Sequence, residues 1–222
     1  MNKTKLLSTI FALAVCATFD ASAYVKQGLP QEYDVGRSGQ YIAGHFTLSP
    51  DYYLKEQGET YDIGTPVGAT FAYGVTFDKF RAEFELKYLT DAELKTDYIV
   101  DVGINQYFVT ETAKFNNLYV MLNGYYDIYF TDALGIFAGF GLGYLNSMIS
   151  MDGVAEDIYH NRTFLEEDIT RDAFAYQFML GIEHNISENV LFDLQYRFTG
   201  TSKVEGANIY GHEFLIGARF NF

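Results

Sequence analysis

The sequence predicts an all-β fold, an eight-stranded antiparallel transmembrane β-barrel preceded by a signal peptide. Three observations carry that expectation. Hydrophobic and polar residues alternate with period two in segment after segment, as they do in pleated strands and not in a helix of period 3.6. The connections between these segments alternate between short and long, the pattern of outer-membrane barrels. The composition is 18% aromatic, with 20 Gly and 3 Pro, a mix that favours strands. No stretch beyond the first twenty residues or so is apolar over the roughly 18 positions that a membrane helix needs.

The elements follow in chain order. Residues 1–23 read as a secretory signal: Lys3 and Lys5 form a basic start, Leu6 to Thr18 is apolar, and Ala21-Ser22-Ala23 is a small-residue cleavage site. The mature chain is then expected to begin at Tyr24. A membrane anchor would need a longer apolar run, and a lipoprotein signal at Cys16 would want a smaller residue than Val15. Cys16 is the only cysteine, so the mature chain carries no thiol. Residues 24–38 read as a periplasmic lead and 39–222 as the barrel.

A first, weaker strand falls near Gln40 to Ser49. In the second, Val67, Ala69, Phe71, Tyr73, Val75 and Phe77 share one face. The third is the clearest: Phe80, Ala82, Phe84, Leu86 and Tyr88 oppose Arg81, Glu83, Glu85 and Lys87. The fourth puts Leu118, Val120, Leu122, Tyr126 and Ile128 against Asn117, Asn123 and Asp127. The fifth puts Ile136, Ala138, Phe140, Leu142 and Tyr144 against Gly139, Gly141 and Gly143. The sixth to eighth run from Phe174 to Glu183, from Val190 to Phe198 and from Glu213 to Phe222. Asp78-Lys79, Thr131 to Leu134 and Ser187 to Asn189 are tight turns, expected in the periplasm. Longer links at Pro50 to Asp62, Thr90 to Asn116, Ile149 to Asp172 and Lys203 to Ile209 are expected outside the cell, with Asp97 to Thr110 as a strand extension above the membrane.

Alternation alone does not say which face is inside. Volume does: the interior of an eight-stranded barrel is just wide enough for side chains to fill. Rows of Phe and Tyr would overfill it, so they are expected to face lipid. The other face, of Gly, Ala, Thr and some charges, is expected inside. That parity puts Arg81, Glu83, Glu85, Lys87, Asp127, Glu183, Asp193, Arg197, Glu213 and Arg219 in the lumen, Phe214 against lipid and Leu215 inward. Charges of both signs in a narrow bore are expected to pair, with Arg81, Arg197 and Arg219 gripping some of Glu83, Glu85, Asp193, Glu183 and Glu213. The set could be a pore or gate, or a salt-bridge network that fills the barrel; a filled barrel is the reading preferred here.

The runs GIEHNISENVLFDLQYRF (181–198) and YGHEFLIGARFNF (210–222) resemble the closing strands of the opacity-type outer-membrane β-barrel family, itself similar to barrels of the OmpA and OmpX type. GIFAGFGLGY (135–144) resembles the family's fifth strand. The resemblance covers nearly the whole mature chain and is most specific in its second half. It implies residence in the outer membrane among its lipids. It also implies that Phe220 and the terminal Phe222 are the signal read by the barrel-assembly machinery. Unlike OmpA, the sequence carries no peptidoglycan-binding domain after the barrel. The family includes surface antigens, adhesins and proteins labelled porins, so it implies place more than task.

Chemistry is sparse. The net charge of −14 argues against nucleic acid as a partner, because phosphate contacts want Lys and Arg. Nucleophilic catalysis would need a Ser or Thr, a His and an acid at one rim. His45, expected in the lumen, His160, in an acidic loop, His184, at the periplasmic rim, and His212 have no local Ser motif. Asp152, Glu156, Asp157, Glu166, Glu167, Asp168 and Asp172 form an acidic stretch with oxygen ligands that suit Ca²⁺ or Mg²⁺. It lacks the regular spacing of a calcium loop and reads as a solvated loop. No catalytic, metal or cofactor site is expected. The expected role is a non-enzymatic surface barrel, an adhesin, antigen or envelope-stabilising protein whose loops contact host or environmental ligands. The alternatives are a narrow porin and, behind it, a lipid-modifying enzyme.

Overall fold

A computed structural model describes residues 39–222 apart from 103–104, 132, 158–161 and 203–206. The signal cleavage site at Ala21, Ala23 and Tyr24, the 24–38 lead and His160 lie outside the described residues. Nine strands appear among the described residues: β1 (Gly39–Glu56), β2 (Glu59–Asp62), β3 (Val67–Phe77), β4 (Phe80–Val102), β5 (Asn105–Tyr129), β6 (Leu134–Asp157), β7 (Arg162–Asn185), β8 (Val190–Thr201) and β9 (Ala207–Asn221). From β3 to β9 each pairs antiparallel with the next, and β1 pairs with both β3 and β9, which closes the ring. Closure leaves no edge across the membrane-crossing part, so backbone donors and acceptors are satisfied as a bilayer requires. β2 is a ninth, short strand paired only with β1 through a hairpin at Gln57-Gly58. It occupies the link expected from Pro50 to Asp62. Pro50 itself sits at the one register shift between β1 and β9, a position where a missing N–H does least harm.

All eight strands expected from alternation lie within barrel strands, with the expected faces. The links are where the structure differs. β4 to β7 are 23, 25, 24 and 24 residues long, more than twice the 9–11 or so that a tilted strand needs to cross. The stretches 90–116 and 149–172 are therefore mainly strand: the extension expected at Asp97 to Thr110 is present in β4 and β5, apart from 103–104, while the acidic stretch is a sheet and not the solvated loop expected. Alternation fades there because beyond the bilayer both faces of a strand meet water, as in the exposed run Lys95-Thr96-Asp97.

The outer wall is a band of large apolar groups with no protein over them, among them Leu122 at 67% exposure, Phe71 at 56% and Leu180 at 59%. In water such a surface would be an aggregation hazard; in lipid it is solvated. Polar pairs mark its upper limit on the outer face. Thr90 Oγ1 donates to Asn116 Oδ1 (2.8 Å) and Asn146 Nδ2 to Asp172 Oδ1 (2.8 Å).

The interior is bulkier than the volume argument expects. Tyr41, Tyr52, Tyr119, Tyr125, Phe137, Met121 and Met179 all point inward and are buried. Room comes from glycines on the same face. A side chain at 139 would collide with Tyr125, at 141 with Asn123, at 143 with Met121 and at 181 with Phe137.

At the long-hairpin end the ring divides into two walls. β3 begins at Val67 and β8 stops at Thr201. Beyond them β4, β5, β6 and β7 stay paired as a four-stranded sheet, in register through Asp97, Thr110, Val154 and Phe164. Opposite stand β2, β1 and β9, paired up to Glu56 and Ala207.

Candidate functional site

The lumen places all ten inward-parity charges in contact with one another or with buried polar groups, each no more than 7% exposed. Near the short-turn rim, Arg81 donates from Nε and Nη2 to Asp127 Oδ1 (3.0 and 2.7 Å). Asp127 was not among the carboxylates expected for it. Glu183 is farther from Arg81 (3.8 Å) and accepts from Arg219 Nη2 (3.1 Å). The Arg81 guanidinium also lies over the rings of Tyr125 and Phe137, 4.5 and 4.8 Å from their centroids, contacts that favour a desolvated cation.

At mid-height Arg197 is fully buried. Its Nη1 donates to both Glu85 oxygens (2.8 and 2.6 Å), while Nε and Nη2 donate to Gln195 Oε1 (3.1 and 2.9 Å). Gln195 in turn donates to Asp193 Oδ1 (2.7 Å), and Asp193 faces His45 Nε2 (3.1 Å). Lys87 Nζ donates to Glu213 Oε1 and Oε2 (2.8 and 2.9 Å) and to Thr199 Oγ1 (3.1 Å). Glu83 makes no ion pair among the described residues. It accepts from Tyr41, Tyr125 and Asn123 instead, all at 3.0 Å. His45 is buried in this network. His184 is exposed beside a short turn. His212 faces outward and accepts or donates at Nδ1 with the Tyr196 hydroxyl (2.7 Å). No Ser hydroxyl bonds to any of these rings among the described residues; Ser49 Oγ bonds the backbone oxygen of His212, not its imidazole.

Above the charges the lumen becomes apolar. Tyr52, Ile63, Leu89, Phe115, Tyr119, Met121 and Leu145 form one buried cluster. The Tyr52 and Tyr119 hydroxyls meet across the bore (2.8 Å), and Asn117 Nδ2 donates to Tyr52. Ile63 is drawn in because its N–H bonds Tyr52 O and its carbonyl accepts from Glu93 N–H. The bore is thus filled twice, by ions and then by rings and aliphatics. Parity missed this upper plug because its residues are interleaved with outward-facing aromatics of the same type, as in Tyr52-Tyr53.

The four-stranded sheet beyond the bilayer is exposed on both faces. Tyr98, Ile99, Phe108, Phe164 and Leu165 are exposed, Phe164 at 74%. Asp97, Asp101, Glu111, Glu166, Glu167 and Asp168 stand among them, all exposed. Short links hold the sheet: Lys114 Nζ to Asp152 (3.2 Å), Arg162 Nε to Glu156 (2.8 Å), and Tyr98 Oη to Glu111 (2.8 Å), which raises the Tyr98 pKa. The acidic residues do not gather into a metal-binding group among the described residues. Phe220 and Phe222 stack at the lipid face by the short-turn rim, ring centroids 6.3 Å apart.

Residues 9–222 match the model of the outer membrane protein beta-barrel domain. Two proteins of Rickettsia bellii are similar, both named "Putative adhesin". One, from strain OSU 85-389, is 26% identical over 151 residues, 64% of this chain and 64% of that relative; the other, from strain RML369-C, is 26% identical over 136 residues, 60% of this chain and 58% of that relative. The match thus spans somewhat under two thirds of either relative. Among solved structures, Neisserial surface protein A is similar in fold, with a TM-score of 0.50 at 12% identity, covering 83% of this chain and 98% of that one.

Proposed function

This chain belongs to the outer membrane protein β-barrel family, and from that premise we propose that its barrel is a filled, non-enzymatic scaffold that holds an adhesive sheet outside the cell. The observation that carries this is the sheet itself. β4 to β7 stay paired well past the apolar band, with one register shift between Leu89 and Ala92 of β4, and end in an exposed surface of Tyr98, Ile99, Phe108, Phe164 and Leu165 rimmed by acids. A monomer gains nothing by showing that surface to water; exposed apolar patches with polar rims mark interaction sites. The edge strands β4 and β7 also offer unpaired backbone groups there, a template for strand addition. The acidic rim suits a basic partner surface on another cell, and the adhesin naming of the Rickettsia relatives agrees with that role. The reading includes export: cleavage before Tyr24, passage through the periplasm, and insertion with Phe220 and Phe222 presented to the assembly machinery. The filled bore supports a scaffold over a porin.

The test is adherence. A non-adherent Gram-negative strain producing the protein should bind cultured epithelial cells several-fold better than the empty strain. A triple substitution Ile99→Ser, Phe164→Ser, Leu165→Ser should remove most of that gain with the amount of surface barrel unchanged. Equal adherence by the producing and empty strains would defeat the proposal.

A further inference from the structure

Between the two walls, just above the Tyr52–Tyr119 floor, lies a cavity of about 320 Å³. Leu54, Leu94, Phe115, Ile149, Ile169 and Ile209 line it, from strands β1, β4, β5, β6, β7 and β9. Its position makes the lining unexpected. It lies at and above the Thr90–Asn116 and Asn146–Asp172 pairs that close the lipid band, so the surrounding strands have left the membrane. Polar side chains fill the same barrel lower down without difficulty. An empty apolar cavity open to water costs free energy in proportion to its wetted apolar area. On one side β8 ends at Thr201, and beyond it no pairing joins β7 to β9 among the described residues.

We propose that this vestibule is a binding site for one small uncharged apolar molecule. An apolar cavity of roughly 150 Å³ accepts benzene. This one has about twice that volume and matches a ligand with on the order of ten carbon atoms, at the small end of known ligand pockets. Charge argues for neutrality. Glu56 and Arg171, one of each sign, are the charged residues in the lining. The sheet above is rich in Asp and Glu, which disfavours an anionic amphiphile, and the apolar walls offer no carboxylate pair to hold a cation. The floor is sealed, so the molecule binds and leaves from the outer side and does not pass through.

The site goes beyond adhesion and is tested apart from it. The full-length mature chain is placed in lipid nanodiscs with labelled isoleucine methyls and titrated with naphthalene. The methyls of Ile149, Ile169 and Ile209 should shift and saturate, while the lipid-facing Ile128 and Ile216 drift in proportion to naphthalene dissolved in the bilayer. Filling the space with Ile149→Trp should weaken binding by at least about tenfold, roughly 1.4 kcal/mol. Ala113→Leu serves the same purpose if the first variant loses its heat-modifiable fold. Naphthoate at neutral pH should bind much more weakly than naphthalene. Absence of saturation at the three inner methyls, or saturation unchanged in a folded filled variant, would overturn the site. Equal binding of naphthoate would overturn the assignment of a neutral ligand.

Discussion

Arg197 has no exposed surface and is held on one side by Glu85 and on the other by Gln195. Burying a guanidinium is tolerable only because both neighbours accept from it. Removing one member leaves the other charged and unpaired in a narrow bore, a loss of about 3–5 kcal/mol in comparable cases. Arg197→Leu and Glu85→Leu should each destabilise the barrel by an amount of that order, and the double substitution by clearly less than their sum. Urea unfolding of barrels refolded in lipid vesicles measures it; strict additivity would mean that the pair does not act as a unit. All ten lumenal charges were legible from parity, because period two assigns a face. Their partners were less so. Parity does not give height, and height is set by register across several strands, which places Asp127 next to Arg81 and leaves Glu83 to two tyrosines and an asparagine. The inward Tyr41, Tyr52, Tyr119 and Phe137 were not read either. Nothing in residue type separates a tyrosine under a neighbour's glycine from one facing lipid.

At the scale of strands, the apolar faces were legible wherever one side met lipid and the other the lumen. Beyond the membrane less was legible: the extension at Asp97 to Thr110 was read and lies in β4 and β5, but the outer lengths of β6 and β7 were taken for a loop and β2 was not anticipated. The hairpin of β1 and β2 depends on Gln57 and Gly58, both at positive φ, a local feature without hydrophobic pattern. β9 is the strand whose role is most exposed to test. It closes the ring against β1 from Tyr41↔Asn221 to Leu48↔Phe214, and Phe222 carries its last lipid-facing ring. Deleting Phe222 should lower the yield of heat-modifiable barrel in the outer membrane while leaving refolding of the purified chain in detergent nearly intact. The expected loss is one of delivery, since Phe222 packs only at the rim. Undiminished barrel in the membrane would remove the assembly role from this residue.

At the scale of the whole barrel, the described residues form a closed ring whose interior is occupied along its height: Arg81, Asp127, Glu183 and Arg219 near the short turns, then Glu85, Arg197, Lys87 and Glu213, then the Tyr52–Tyr119 plug. Six buried carboxylates, counting Glu83, Glu85, Asp127, Glu183, Asp193 and Glu213, face four buried cations, Arg81, Lys87, Arg197 and Arg219, with His45 beside Asp193. Hydroxyls and amides of Tyr41, Tyr125, Asn123, Gln177 and Gln195 hold the excess. Such a lumen stiffens a ring of eight strands, and under the proposed scaffold role activity belongs to the sheet and vestibule beyond the membrane. Single-channel recording of the refolded protein in planar bilayers tests this most directly. The account predicts no steady ohmic current, at most brief rare openings, in wild type, with openings more frequent when Arg197 and Glu85 are both replaced by alanine. A wild-type barrel that conducts steadily at porin-like levels would contradict it.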